Sequence, residues 1–138
     1  MQITTALLAD AARVESGKLF VHGGAWDTID VATIPAVHPT MALVLVIRVE
    51  YSEALSDIPL VIELIDEDDK PIGPRVEGII NAGHAPRTKR GTPTFQPVAM
   101  TFNLIAFDHE GGYRFRVSTG DHELASIPFR VRTVSLPT

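Results

Sequence analysis

The stretch from Gly111 to Val131, GGYRFRVSTGDHELASIPFRV, decides the fold, because two alternating runs flank a Gly-Asp turn and so describe a β-hairpin. Tyr113, Phe115 and Val117 hold one parity of the first run, and Arg114, Arg116 and Ser118 hold the other. Phe129 and Val131 alternate in the same way with Arg130 and Arg132. Successive side chains of a strand point to opposite faces, so this pattern means one dry face and one wet one. The hairpin is therefore half buried, with its aromatics inward and four arginines outward.

Upstream of the hairpin, Val98, Met100, Phe102 and Leu104 alternate with Ala99, Thr101 and Asn103, which predicts another strand with that first set inward. Met41 to Tyr51, MALVLVIRVEY, is apolar on both parities until Arg48 and Glu50, the mark of a central strand covered on both sides. Ile58 to Ile65 alternates around Glu63, the DEDDKPIG segment follows as a turn, and Val76, Ile79 and Ile80 resume a strand pattern. Asn81 to Phe95 carries Gly83, Pro86, Gly91 and Pro93 without apolar periodicity, so it is the longest loop.

The N-terminal run is ambiguous by propensity, since Ala6 to Ala12 favours helix and Ile3 to Thr5 favours strand. The ESGK turn at 15–18 and the β-rich Leu19, Phe20 and Val21 resolve it as a strand returning in a hairpin. Gly23 and Gly24 then break or bulge the run before Trp26, and Thr28, Ile29 and Val31 make an edge strand closed by Pro35 and Pro39. Eight or nine short strands with no interior helix bury their apolar faces as two packed sheets. The expected fold is all-β, an antiparallel β-sandwich of immunoglobulin-like character, with residues 1–138 forming a single domain.

Composition narrows the function classes. The absence of cysteine excludes a disulfide framework, thiolate metal sites and thiol redox chemistry, and it suits a reducing compartment. The opening MQITTALLADAA has no basic flank, and Asp10 interrupts its apolar stretch, so neither a signal peptide nor a membrane span is expected and a cytoplasmic location is. A net charge of -5 from 17 acidic and 12 basic residues disfavours nucleic acid as a general partner.

The pattern LLADAARVESGKLFVHGGAW, the acidic ELIDEDDKPIG turn and the terminal GGYRFRV and FRV strands together resemble an uncharacterised bacterial all-β family frequent in actinobacteria. The resemblance spans nearly the whole chain and implies the fold and a bacterial cytoplasmic setting. The matching motifs are turn and core residues, so no activity or binding residue comes with it.

No catalytic constellation emerges from the residues themselves. Asp66, Glu67, Asp68 and Asp69 offer hard oxygen ligands of the kind calcium takes, yet four successive acids cannot all point inward, and a DEDD turn reads equally as a solvated hairpin end. A histidine metal site needs at least three ligands that converge. His109 and His122 flank one strand whose seven residues extend roughly 23 Å, at ~3.3 Å each, which separates them. His22 falls in a strand, and His38 and His84 fall beside prolines in connections. The serines and threonines lack a nucleophile elbow, and Gly23-Gly24 lacks the residues of a phosphate loop. No catalytic residue, cofactor or metal is therefore assigned.

Two cationic features remain. Arg114, Arg116, Arg130 and Arg132 share a parity and would form a stripe on the outer sheet face, unless Glu63, Glu123 and other acids interleave with them as an ion-pair ladder. Arg87, Lys89 and Arg90 lie in the long loop without nearby acids, the strongest local departure from the negative balance. Trp26, the sole tryptophan, follows a Gly-Gly pair and is expected to pack in the core or at its rim, the alternative being an anchor for a partner. The N-terminal run and Thr28 to Val31 are candidate edges for pairing with another copy as a homo-oligomer. These features point to a non-enzymatic protein-interaction or assembly module. A small-ligand or carbohydrate-binding sandwich is the alternative, marked by exposed Trp26, Tyr51 or Tyr113 on a concave face. An enzyme with an unrecognised site stands third.

Overall fold

Alternating apolar residues become nine strands in the computed structural model, which describes residues 1–135. They are β1 (Gln2–Glu15), β2 (Lys18–Gly24), β3 (Thr28–Val31), β4 (Ala36–Val49), β5 (Ile58–Asp66), β6 (Val76–Ile80), β7 (Thr94–Phe107), β8 (Gly111–Thr119) and β9 (His122–Thr133). A 3-10 turn at Tyr51–Glu53 is the only helical element among the described residues. One sheet has the order β2-β1-β4-β7 and the other β3-β9-β8-β5-β6, the second curled into a half-barrel. Among the described residues no helix is long and apolar enough to cross a membrane.

The wholly antiparallel arrangement needs one correction. β3 runs parallel to β9, with Ile29 beside Val131. No tight turn joins these two strands, so nothing obliges them to run in opposite directions.

The two sheets face each other over one core. Leu43, Leu45 and Ile47 of β4 and Phe102 of β7 meet Ile62, Leu64 and Phe115 from the other sheet. The Phe102 and Phe115 rings stand 5.0 Å apart, and Phe107 meets Phe129 edge-on at 5.9 Å, both within the spacing that aromatic pairs prefer. Each such side chain contributes about 1.5–3 kcal/mol by leaving water. β4 is buried on both sides, because Ala42 and Val44 join Ala9 in a second cluster covered by Leu7, Ala12 and Leu19.

The hairpin read from sequence forms as β8 and β9. Tyr113 pairs with Phe129 and Phe115 with Ile127, all four inward. Gly120, the first of the two turn residues, has φ of 56°, where glycine carries no Cβ penalty.

Three placements differ from the sequence reading. Leu104 is 74% exposed, while Phe102, Ile105 and Phe107 are buried. Leu104 takes a left-handed φ of 55°. It stands level with Pro39, which has no N–H for the ladder, so both strands shift parity there and pairing resumes at His38 and Ile105. His38 therefore belongs to β4 and not to a connection. Finally, the N-terminal run is not the outermost strand of its sheet: β1 lies between β4, which pairs with its first half, and β2, which pairs with its second. The edges are β2 and β7 in one sheet and β3 and β6 in the other.

Candidate functional site

The inward aromatics of β8 and β9 force Arg114, Arg116, Arg130 and Arg132 onto the outer face together. Arg130 pairs with Gly112 across the ladder. A groove of about 660 Å³ lies beside this pair, lined by Arg114, Arg130, Arg132, Asp27, Glu67 and Asp69.

Carboxylates neutralise most of this stripe. Arg114 donates from Nη1 to Glu123 Oε1 at 2.7 Å and to Ser126 Oγ at 3.1 Å, and its Nη2 lies 3.5 Å from Asp69 Oδ1. Arg116 Nη2 donates to Glu63 Oε2 at 3.4 Å, and Arg132 is paired with Asp30 of β3. The hydrogen bond that Arg114 donates to Glu123 holds Arg114 above its ordinary pKa, and the one Asp30 accepts from Arg132 holds Asp30 below the usual carboxylate range. Arg130 alone of the four meets no carboxylate at ion-pair distance among the described residues. Exposed pairs of this kind stabilise by only about 0.2–1 kcal/mol each. Their larger effect is to cancel the field that an approaching acidic partner would feel.

The loop between β6 and β7 is arranged differently. Its first residues are pinned to the body: Asn81 Nδ2 donates to Asp57 Oδ1 at 2.7 Å, and the Gly83 N–H donates to the Ala54 carbonyl at 2.7 Å. His84 stacks on Tyr51 with ring centroids 4.0 Å apart, and its Nε2 lies 3.0 Å from the Tyr51 carbonyl oxygen. Two turns then follow, closed by the Thr88 N–H on Ala85 O and the Thr92 N–H on Lys89 O, each at 3.1 Å. They leave Arg87, Lys89 and Arg90 exposed. Arg87 takes a left-handed φ of 67°, which costs a residue with a Cβ roughly 1 kcal/mol. None of these three cations meets a carboxylate at ion-pair distance among the described residues. Sequence reasoning found the charges but missed their anchor, because a Tyr51–His84 stack joins residues far apart in the chain and leaves no local pattern.

The acidic turn has a structural role. Asp66 Oδ1 accepts from the N–H groups of Asp68 at 2.9 Å and Lys70 at 3.0 Å, and Glu67 Oε1 accepts from the Gly112 N–H at 2.6 Å. The hydrogen bond from the Lys70 N–H is the main reason the Asp66 carboxyl lies below its ordinary pKa. No group of three or more His, Asp or Glu is arranged to hold a metal ion among the described residues. His109 precedes β8 and His122 opens β9, so they stand at opposite ends of the hairpin.

Trp26 is half-buried against the core and meets His38 edge-on at 6.3 Å. Trp26 Nε1 and His38 Nε2 are both buried without a hydrogen-bond partner, and burial pushes the His38 pKa down from its ordinary value. Tyr113 is buried, and its hydroxyl donates to the His109 carbonyl at 2.6 Å.

No curated protein and no solved structure matches the chain. The family model that does match, a family of unknown function (DUF6941), covers residues 4–132, and the chain belongs to that family.

Proposed function

We propose that this protein is a non-enzymatic interaction module that recognises an acidic protein surface through Arg87, Lys89 and Arg90. The observation that carries the reading is the contrast in pairing: these three neighbouring cations are exposed on a pinned loop and meet no carboxylate among the described residues, whereas three of the four arginines on β8 and β9 are engaged by acids. Anchoring by Tyr51 and His84 reduces the entropy lost when the loop is ordered by a partner. An immunoglobulin-like sandwich is the scaffold we propose. β4 pairs with β7, and β6, β5, β8 and β9 lie side by side, the order of the B–E and C′–C–F–G strands of variable-type domains. Tyr113, whose hydroxyl bonds back to the His109 carbonyl at the β7–β8 corner, resembles the tyrosine corner of such sandwiches. A bacterial cytoplasmic setting accords with a chain that has no cysteine.

The test is binding of a glutamate-rich peptide to the intact protein, with Arg87, Lys89 and Arg90 replaced together by Ser. We expect affinity to fall about tenfold, and to fall with added salt in the unaltered protein, while thermal stability stays unchanged. Equal affinity in the triple variant would remove the loop from recognition.

A further inference from the structure

β7 is the outer strand of its sheet, and its free side is unusual. Edge strands are commonly blunted by charge, proline or shortness, and most strands run roughly 3–10 residues. β7 has 14 residues, TFQPVAMTFNLIAF, and not one is charged. It pairs with β4 along its whole length, and no backbone hydrogen bond joins its other side to any described residue. Phe95 and Leu104, near its two ends, are 54% and 74% exposed.

The chain on either side of β7 carries opposite charge. Arg87, Lys89 and Arg90 lead into it, and Asp108 and Glu110 follow it. Glu110 is bound to the Thr133 backbone, whereas Asp108 has no hydrogen bond or ion pair among the described residues and lines a hollow with Asp66 and Lys70. An antiparallel neighbour on this edge would bring the basic lead-in of one chain towards the acidic exit of the other. Twofold symmetry makes that contact occur twice, because an isologous interface uses the same patch on both subunits.

We propose that two copies of this chain pair antiparallel along β7, joining their four-stranded sheets into one eight-stranded sheet. The pairing is centred on Ala99, the midpoint of the regular stretch from Phe95 to Asn103 before the turn of direction at Leu104. Ala99 lies on the outer face, level with Val44, and is small enough for its symmetry mate to approach closely. In this register Pro97, which has no N–H to donate and so holds the seam only through its carbonyl, stands across from the partner subunit's Thr101, and Arg87 to Arg90 come alongside the partner subunit's Asp108. The inference rests on the interaction-module reading and names its partner as a second copy.

Light scattering on the full chain should give a dimer mass, and Thr101→Lys, an exposed change on the edge, should give a monomer with an unaltered thermal melt. Because the chain has no cysteine, Ala99→Cys supplies a single thiol, and a short bifunctional thiol reagent should then link two chains. The charge argument has its own arm. Arg87→Glu/Lys89→Glu/Arg90→Glu and Asp108→Lys should each weaken self-association, the triple variant by about tenfold. An equimolar mixture of the two should recover it, since each altered loop then faces an oppositely altered corner. A monomer mass at every concentration up to the solubility limit would overturn the proposal, as would a dimer that survives Thr101→Lys and resists cross-linking at Ala99→Cys. A monomer that still binds the glutamate-rich peptide through Arg87 to Arg90 would overturn the pairing alone and leave the recognition role in place.

Discussion

The β8–β9 face and the β6–β7 loop both concentrate positive charge, but they differ in what that charge touches. On the face, strand parity sets Arg114, Arg116 and Arg132 within reach of Glu123, Glu63 and Asp30, and the charges are consumed inside the molecule. In the loop, two short turns hold Arg87, Lys89 and Arg90 away from any described carboxylate, while the stack of His84 on Tyr51 fixes where they are presented. A row of arginines is therefore poor evidence of a binding face until its counter-ions are placed. Altering the face should cost stability, and altering the loop should cost binding.

The largest effect should come from Arg114→Glu. It removes the contacts to Glu123 and Asp69 and sets a carboxylate beside both, which should destabilise the fold by about 1–2 kcal/mol in urea denaturation without weakening the peptide interaction. Lost binding with unchanged stability would invert the comparison. A smaller effect is expected of His84→Ala, which unstacks Tyr51 and frees the loop. It should cost roughly 1 kcal/mol of stability and weaken peptide binding several-fold through the entropy of reordering Arg87 to Arg90. Binding equal to that of the unaltered chain would show that the pinned start of the loop does not matter.

The smallest effect is one of pH. Arg132 holds the folded-state pKa of Asp30 below its unfolded value. The stability from this pair is therefore complete above the ordinary carboxylate pKa of about 3.9 and is lost as pH falls through the lowered folded value. Urea midpoints measured from pH 7 down to about pH 3 should fall more steeply for the unaltered protein than for Asp30→Asn. Identical acid profiles would mean that the β3–β9 pair contributes nothing to the stability of the face.

Much of the fold was legible because alternation is a local property. Tyr113, Phe115 and Val117 had to share a face once they lay on a strand, and MALVLVIRV had to be covered on both sides once it was apolar on both parities. The reading failed where the backbone left the regular strand. Left-handed φ at Leu104 opposite Pro39 reverses the parity on which the pattern depends, and propensity alone cannot announce it. The site was half legible: the charges of Arg87, Lys89 and Arg90 stand in the sequence, but Tyr51 and Asp57, which hold their loop, lie more than twenty residues away.

By itself the sequence determined the strands, the hairpin at Gly120 and, wherever the strand stays regular, which side chains turn inward, since these follow from local φ preferences and a two-residue period. Only the tertiary structure decided which strands are neighbours, which of them are edges and which arginines find acids. Those outcomes depend on pairing between segments distant in the chain, and the alternating pattern is the same whichever partner a strand takes.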